Sequence, residues 1–356
     1  MTDQKQEQLK RAEGFPFERV PAPLIAWYRA NKRDLPWRVN PTPYRVWVSE
    51  IMLQQTRVEA AKEYYLRFLS ALPTVFDLAA CEEEKLLKLW EGLGYYSRVR
   101  NMQKAAKLVV ENYGGEFPAE EKALKGLPGI GDYTVGAVLS IAFGLPYPAV
   151  DGNVLRVLSR VSENPSDISD TKYREFLREK LRAVYPQDRQ GCSDFTQALM
   201  ELGALICKPA VIECSVCPLK ELCSARKNGT QKEYPVMPEK KGKREESLFV
   251  FVIETEKGIA IRKREAGVLK GMNEFPSAVV KEGDLPEETL KEWGVSAFNI
   301  VRQKKYTHIF THIRWNMTCF FVRAEDAPFA AYSREEIERE VALPTAFKQC
   351  LGVMID

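Results

Sequence analysis

The chain has 356 residues, of which 45% are hydrophobic and 28% charged, and its formal net charge is +3. That length is enough for about two domains with cores of their own, and the composition is typical of a soluble globular protein. The small net charge argues against a strongly basic nucleic-acid-binding protein, so phosphate binding must come from local groups. No apolar run approaches the roughly 18 residues of a membrane span, and the first residues lack the apolar stretch of a secretory signal, so we expect a cytoplasmic protein without a membrane segment.

The first two thirds of the chain predict helices, because apolar residues recur three and four apart in 60–70, 83–90, 101–113, 133–143 and 171–185. A charged, proline-marked stretch at 231–247 then predicts a connector. Beyond it, strands are predicted at Leu248–Glu254, Gly258–Arg262, His308–Ile313 and Met317–Arg323, with helices near 286–293 and 333–340. We therefore predict an all-α domain over residues 1–230 and a smaller α+β domain over 248–356.

Histidine occurs at only two positions, His308 and His312. Acid–base chemistry in the first 300 residues must therefore use carboxylates, tyrosine or lysine. This argues against a Ser-His-Asp hydrolase and a His-ligated zinc deaminase in that part of the chain.

Glu50 lies in an unusually apolar segment, Val46-Trp-Val-Ser-Glu-Ile-Met-Leu53. Apolar surroundings disfavour the charged form of a carboxyl group, and so they produce a general acid near neutral pH. Gln54 follows one helical turn later on the same face, and Gln55 and Thr56 continue with polar groups suited to bases and phosphates. The alternative is a structural glutamate that binds a neighbouring backbone group or an arginine.

The segment from Leu127 to Tyr133 predicts two short helices joined by a glycine hairpin, within a helix–hairpin–helix at about 120–143. Gly129 and Gly131 let backbone N–H groups turn outward and approach a phosphate closely. The segment therefore predicts a phosphate-binding hairpin.

Asp151 stands just before the next helix, where an aspartate is also a favoured N-cap. The helix dipole favours the charged form of a carboxylate at that position. A charged aspartate beside a developing sugar cation, with a second acid that protonates the leaving base, is what N-glycosidic cleavage needs. Glu50 and Asp151 are the candidate pair.

Four of the eight cysteines lie close together in the chain, as Cys207, Cys214, Cys217 and Cys223. In a cytosolic protein such spacing indicates metal ligation rather than disulfides. Structural zinc usually uses two separated pairs of close cysteines, and this segment contains one such pair. The irregular set favours a 4Fe–4S cluster. Zinc and unligated core cysteines are the alternatives.

Aromatic and basic residues alternate between Trp90 and Arg100. Stacking of an aromatic side chain on a base is worth about 1–3 kcal/mol, so one insertion would offset much of the cost of unpairing a base. The alternative is core packing combined with solvated charge.

Together these motifs resemble the helix–hairpin–helix DNA glycosylases with an iron–sulfur loop, and more closely the adenine DNA glycosylases of the MutY type. The motifs are SEIMLQQTRV at 49–58, WEGLGYYSRVRN at 90–101, LPGIGDYT at 127–134, AVDGNVLRVLSR at 149–160 and the cysteine spacing. The resemblance implies a monomeric base excision repair enzyme that flips out adenine mispaired with 8-oxoguanine or guanine in double-stranded DNA and removes it by hydrolysis.

The resemblance also implies roles for individual residues. Glu50 would protonate adenine at N7, and Asp151 would stabilise the oxocarbenium ion or trap it covalently, with support from Tyr133 and Asn153. The implied adenine pocket consists of Leu35, Trp37, Arg38 and Gln197. The implied DNA contacts are Gln54, Gln55, Thr56, Leu93, Tyr95, Gly129 and Gly131, and the implied cluster ligands are the four cysteines.

Lyase relatives of this fold use a lysine after the hairpin to form a Schiff base with the sugar. Tyr133 stands at that place here, so the resemblance implies base removal without efficient strand cleavage. A bifunctional pyrimidine-lesion glycosylase/lyase and a non-catalytic iron–sulfur DNA sensor are the competing hypotheses. The missing lysine argues against the first, and the second does not require Glu50 and Asp151 together.

The C-terminal part resembles a Nudix-like fold at 258–264 and 271–276. A glutamate-rich box does not follow, and without such a carboxylate cluster a phosphohydrolase could not hold its Mg²⁺ ions. We therefore predict recognition rather than hydrolysis. The resemblance implies that Phe310, Thr311 and His312 read the 8-oxoguanine.

Overall fold

The computed structural model describes residues 14–238 and 242–355, which form two compact units. The first unit comprises described residues 14–79 and 101–238, and the second comprises 80–100 and 242–355. Residues 80–100 thus group with the C-terminal part, although they fall inside the predicted 1–230 domain. The N-terminal residues 1–13 and residues 239–241 of the predicted connector lie outside the described residues.

Helices dominate the chain up to residue 228. They are α1 (Pro21–Asn31), α2 (Pro43–Leu53), α3 (Val58–Ala71), α4 (Val75–Ala80), α5 (Glu83–Leu89), α6 (Ser97–Tyr113), α7 (Glu121–Lys125), α8 (Asp132–Ala137), α9 (Gly152–Ser162), α10 (Thr171–Arg182), α11 (Arg189–Leu205) and α12 (Ser224–Asn228). Short 3₁₀ turns lie at Phe17–Arg19, Pro36–Arg38 and Cys214–Val216, and α8 continues as a π-helical turn, Val138–Ala142. None of the helices in the described part combines the length and apolar character needed to cross a lipid bilayer.

The helices that carry the site begin at well-defined N-caps. The Thr42 side chain accepts a hydrogen bond from the Arg45 N–H at the start of α2, and Pro43 occupies the first helical position. Asp151 caps α9 in the same way, by accepting from the Val154 N–H at 2.8 Å. These caps fix where α2 and α9 begin and hence where their polar side chains lie.

One hydrophobic core of the first unit is built mainly from α1, α9, α10 and α11. Its largest fully buried members include Leu24, Tyr28, Tyr173 and Phe195. Burying side chains of this size stabilises by roughly 1.5–3 kcal/mol each. The core therefore holds α9 and α11 as rigid supports for the groups at their polar edges.

The second unit contains a mixed sheet. Its strands are β1 (Arg244–Thr255), β2 (Gly258–Lys263), β3 (Asn273–Glu274), β4 (Ser277–Val279), β5 (Asn299–Ile309), β6 (Ile313–Arg323) and β7 (Ala330–Tyr332). The order is β3-β2-β1-β6-β5, while β4 pairs with β1 and β7 with β2. β1 and β6 are parallel, with Leu248 opposite Met317, and the other pairs are antiparallel.

Both faces of this sheet are covered. One face packs with the elements near the C-terminus, α14 (Arg334–Arg339), α15 (Thr345–Lys348) and a 3₁₀ turn, Gln349–Val353. The other face packs with α13 (Pro286–Glu292) through Leu290. Side chains of a strand alternate between faces, so Val250 and Val252 serve the first core while Phe251 and Ile253 serve the second.

Two local predictions are wrong. The predicted strand His308–Ile313 is the end of β5 and the turn into β6, with residues 310–312 between them. β5 was missed because it is a charged edge strand, in which Gln303, Lys304 and Lys305 are all exposed and hide the alternation. β1 also begins at Arg244, inside the predicted connector, because it pairs with β6 from its first residue.

Candidate active site and cysteine cluster

A cleft of about 750 Å³ lies in the first unit. It brings together Glu50 from α2, Tyr133 from α8 and Asp151 from the start of α9. Eight further predicted site residues line the same cleft: Leu35, Trp37, Arg38, Gln54, Gln55, Thr56, Asn153 and Gln197. The candidate catalytic and pocket residues therefore share one cavity.

Glu50 is almost fully buried at the wall of the cleft, where its carboxylate accepts a hydrogen bond from the Tyr133 hydroxyl. Burial raises the pKa of Glu50 to about 7, and the nearby charge of Asp151 acts in the same direction. The hydrogen bond from Tyr133 and the charge of Arg38 oppose this rise. A carboxyl group in this state holds a proton near neutral pH and can give it up, as a general acid must.

The Asp151 carboxylate is held by two donors. Its Oδ1 accepts from the Val154 N–H at 2.8 Å and its Oδ2 from the Asn153 side-chain amide at 2.7 Å. The backbone N–H groups at the start of α9 favour the charged form of Asp151, but burial outweighs them. Burial raises the pKa of Asp151, and the hydrogen bonds and the charge of Arg156 only limit that rise.

Asn153 is itself positioned by α9 and α11. The Arg156 guanidinium donates to the Asn153 side-chain oxygen at 2.8 Å and to the Gly203 carbonyl at 2.9 Å. Gly203 also permits the close approach of the two helices, because a Cβ added there would lie 2.5 Å from the Asn153 Cβ. The amide that holds Asp151 thus depends on an arginine and on a position without a side chain.

At another part of the cleft, Glu201 organises two arginines. Its carboxylate accepts hydrogen bonds from Arg33 at 2.7 Å and from Arg38 at 3.0 Å. Arg38 Nε also donates to the Gln197 side-chain oxygen at 3.1 Å. Burial alone would raise the pKa of Glu201, but the bonds from Arg33 and Arg38 outweigh it and lower that pKa to about 2. This part of the cleft therefore carries fixed charge.

The residues after α2 form an edge of the cleft, where Gln55 is exposed and Gln54 and Thr56 are half-buried. Gln55 adopts a left-handed backbone conformation with φ of 61°. Such a conformation is strained for a residue other than glycine and persists only where the surroundings enforce it. In the hairpin, Gly129 also has a left-handed φ of 76°, whereas Gly131 is extended and caps α8. Neither hairpin glycine lines the cleft.

The other predicted contact residues lie in the second unit, around a cavity of about 950 Å³. Leu93, Tyr95, Phe310, Thr311 and His312 all line it. The Tyr95 hydroxyl and the Thr311 hydroxyl are hydrogen-bonded at 2.6 Å. Leu93 is buried, so its packing is part of the core, while Tyr95 and the turn residues Thr311 and His312 are exposed.

The four clustered cysteines line one small cavity in the first unit. Burial raises the pKa of the Cys217 thiol to about 12, and the other three cysteines act in the same direction. The buried Arg160 guanidinium lies 3.3 Å from the Cys207 sulfur and donates to the Lys208 carbonyl at 2.8 Å. Within the described ranges, no three His, Cys, Asp or Glu side chains are placed to ligate a single metal ion.

Three residues of the site escaped sequence reasoning: Arg33, Arg156 and Glu201. Glu201 follows Gln197 by four positions and Arg156 follows Asn153 by three, so helical spacing placed each beside a predicted residue. That signal was available in the sequence. The contact between Arg33 and Glu201 joins residues 168 positions apart and carries no local signal.

The sequence matches two families. Residues 48–183 match the HhH-GPD superfamily base excision DNA repair proteins, and residues 249–352 match the NUDIX domain. A solved thermostable thymine-DNA glycosylase is 28% identical with a TM-score of 0.53, and the match covers 64% of this chain and 100% of that one. The helical fold is therefore shared with that glycosylase.

Curated relatives extend the similarity across both parts of the chain. Adenine DNA glycosylase from Homo sapiens is 32% identical, over 93% of this chain and 73% of the relative. Adenine DNA glycosylase from Schizosaccharomyces pombe is 34% identical, over 86% of this chain and 82% of the relative. The chain belongs to the adenine DNA glycosylase family.

Proposed function

We propose that the protein is a monofunctional DNA glycosylase that acts as a monomer in base excision repair. Its substrate is adenine mispaired with 8-oxoguanine or guanine in double-stranded DNA. The observation that carries the proposal is the pairing, in one cleft, of a buried Glu50 whose pKa is about 7 with a hydrogen-bonded Asp151.

Glu50 is the proposed general acid. Its proton passes to N7 of the extruded adenine, which makes the base a better leaving group, and the bond between C1′ and N9 then breaks with its electrons moving to the base. Tyr133 keeps the Glu50 carboxylate oriented for this transfer through its hydrogen bond. After departure of the base, the same carboxylate accepts a proton from the water that adds to C1′.

Asp151 is the proposed stabiliser of the oxocarbenium ion. Its two hydrogen-bond donors favour a carboxylate of fixed orientation, and a preorganised negative charge lowers the energy of a developing cation. The alternative role of Asp151 is covalent capture of C1′ by one of its carboxylate oxygens. Asn153 and Arg156 act as positioning residues because they hold this carboxylate.

The proposed adenine pocket is Leu35, Trp37, Arg38 and Gln197. The apolar walls suit a stacked purine, and the Gln197 amide and the Arg38 guanidinium offer polar contacts to its edge. Glu201 supports the pocket by fixing Arg38. Gln54, Gln55 and Thr56 at the edge of the cleft, with the hairpin glycines, are proposed DNA contacts.

The lining of the cleft supports a monofunctional enzyme. A Schiff base with the sugar needs an amine, and the described lining residues include arginines but no lysine. Tyr133 occupies the position after the hairpin and is already engaged with Glu50. Strand cleavage by the lyase route is therefore not expected.

In the second unit, we propose that the turn at Phe310, Thr311 and His312 reads the 8-oxoguanine, with Tyr95 at the vacated stack. The shared hydrogen bond between Tyr95 and Thr311 joins the stacking group to the recognition turn. A hydroxyl and an imidazole in one cavity offer both donors and acceptors to the altered base edge.

Cys207, Cys214, Cys217 and Cys223 are the proposed ligands of a 4Fe–4S cluster. When bound, it supplies an anionic cross-link that stabilises the loop. The buried guanidinium of Arg160 beside the Cys207 sulfur provides positive charge that suits thiolate ligands.

The decisive experiment uses labelled duplexes that contain adenine opposite 8-oxoguanine. We expect strand breaks only after alkali, because base release leaves an intact abasic strand. Breaks without alkali would favour a lyase, and binding without any product would favour a DNA sensor.

Asp151→Asn should bind the duplex but lose base release by on the order of 10²–10³-fold. Near-normal turnover of that variant would contradict the mechanism.

A further inference from the structure

Lys88 and Glu91 form a poorly accessible ion pair at the end of α5 in the second unit. Lys88 Nζ lies 2.8 Å from Glu91 Oε2, with only 18% and 13% of the two side chains exposed. Lys88 Nζ also donates to the carbonyls of Ile337 at 3.3 Å and Val341 at 3.1 Å. Carbonyls at the end of a short helix lack partners within it, so an ammonium group that binds them fixes two segments together.

Glu91 completes the contact from the other side. Its Oε1 accepts a hydrogen bond from the Leu343 backbone N–H at 3.2 Å, and Lys348 lies 3.6 Å from the same oxygen. The pair therefore binds the segment that contains α14 and α15 through three backbone groups. Removal of either side chain leaves polar groups of that segment without a partner, which is costly in a poorly hydrated place.

The residues that follow the pair form a strained loop at 92–97. Gly92 and Gly94 have left-handed φ angles of 96° and 67°, and so does Tyr95, with φ of 47°. A tyrosine is held in that conformation only when its surroundings over-determine it. Its ring is 45% exposed and its hydroxyl bonds Thr311.

The loop is also anchored on its C-terminal side. Arg100 donates to the Gly271 carbonyl at 2.9 Å and to the Lys270 carbonyl at 3.3 Å, and its Nε binds Glu83 at 2.8 Å. The 92–97 loop thus lies in the chain between two anchors that both bind C-terminal segments of the same unit.

We infer that Lys88 and Glu91 are positioning residues for the 92–97 loop, and that they determine how efficiently the mispair is opened. The inference rests on the proposed function. A loop that is already ordered can insert Tyr95 into the base stack without first losing conformational entropy, whereas an unanchored loop must lose it on binding. The pair touches neither the base nor the sugar in this scheme, so it acts only through the loop.

The test compares two duplexes in single-turnover base release. In one the adenine is opposite 8-oxoguanine, and in the other it is opposite a stable abasic analogue, where no opposing base resists extrusion. We expect Lys88→Met to lower the rate on the first duplex about tenfold and to leave the rate on the second nearly unchanged. In a duplex with 2-aminopurine beside the mispaired adenine, the fluorescence rise that reports unstacking should fall in parallel.

Three further variants sharpen the comparison. Lys88→Arg keeps donors for the two carbonyls and should restore most of the lost rate, while Glu91→Gln should reproduce the Lys88→Met defect in part. Lys85→Met removes an exposed charge from the same helix and should behave as wild type. An equal loss on both duplexes would reveal a general structural role and overturn the inference, as would wild-type behaviour of Lys88→Met. Failure of the wild-type protein to release adenine from either duplex would instead refute the proposed function, and the inference with it.

Discussion

Glu50 and Glu201 line the same cleft and are both almost fully buried, yet their pKa values move in opposite directions. Burial raises that of Glu50 to about 7. At Glu201 the same effect is outweighed by hydrogen bonds from Arg33 and Arg38, and the pKa falls to about 2. The partner of Glu50 is a neutral hydroxyl, whereas the partners of Glu201 are two cations.

The difference shows how one cleft can hold an acid and a permanent anion made from the same residue type. A neutral donor leaves the cost of burying charge mostly in place, and the carboxyl stays protonated near neutral pH. Two guanidinium groups remove that cost and fix the charge. The Glu50 region is therefore suited to proton transfer and the Glu201 region to holding Arg38 and Gln197 in place.

The largest effect is expected when the acid itself is removed. Glu50→Gln cannot donate the proton, so base release should fall on the order of 10²–10⁴-fold. Binding of a duplex with adenine opposite 8-oxoguanine should persist in a gel-shift assay. The protonated carboxyl of the wild type and the amide of the variant are both uncharged. A release rate within threefold of wild type would rule out Glu50 as the acid.

The same variant also tests the pKa through stability. Unfolded Glu50 ionises above its ordinary value of 4.5, while the folded protein keeps the proton up to about 7, so wild-type stability falls as pH rises across this window. Glu50→Gln lacks this loss and should be the more stable protein at pH 8, with the difference fading below about pH 4.5. Urea denaturation at both pH values measures it.

Removal of the Glu201 carboxylate should lower the free energy of unfolding more than Glu50→Gln does, and should slow base release less. Glu201→Gln leaves two guanidinium groups without their carboxylate, and we expect a loss of about 3 kcal/mol in the free energy of unfolding at pH 7. Wild type should lose that contribution only as pH falls from 4.5 towards 2, since the pKa of Glu201 is depressed. Base release should drop about tenfold because Arg38 is displaced.

A matched control is Glu59→Gln, which removes an exposed carboxylate paired with Lys62 and should change stability by less than about 1 kcal/mol. Equal losses in the free energy of unfolding of the two variants would show that the buried Glu201 carboxylate stabilises the protein no more than an exposed one.

The smallest expected effect is a shift in a pH profile. The Tyr133 hydrogen bond lowers the pKa of Glu50, so Tyr133→Phe should raise it and move the descending limb of kcat/KM from about pH 7 to higher pH. The rate at low pH should change only a few-fold. Tyr173→Phe, which removes a buried hydroxyl bonded to Ser159, should leave the limb in place. A limb that stays at pH 7 in Tyr133→Phe, or moves down, would contradict the assignment.

The apolar surroundings of Glu50 could be predicted from its neighbours in one helix, since they are local. The upward shift of the pKa of Asp151 could not be predicted in this way. The start of α9 favours the charged carboxylate, but the burial that outweighs this effect comes from packing against other elements. The Arg33–Glu201 contact joins distant positions and left no pattern. The roles assigned to these residues stay predictions.

The division into helical and α+β parts followed from periodicity, and it is confirmed. Periodicity failed at β5, whose lysines face solvent at the edge of the sheet. It also could not show that 80–100 groups with C-terminal residues, because that grouping depends on contacts such as Lys88 with Val341, which are remote in sequence.

Gly203 limits which residues the chain can tolerate at this position of α11. A side chain at that position would overlap Asn153, whose amide holds the Asp151 carboxylate. Position 203 on α11 neither reacts nor binds substrate in the proposed mechanism. A substitution there would nevertheless disturb the Asp151 carboxylate, because it would displace the Asn153 amide. The loss would resemble a catalytic defect in a protein that still folds, and inspection of the chemical groups alone would miss its origin.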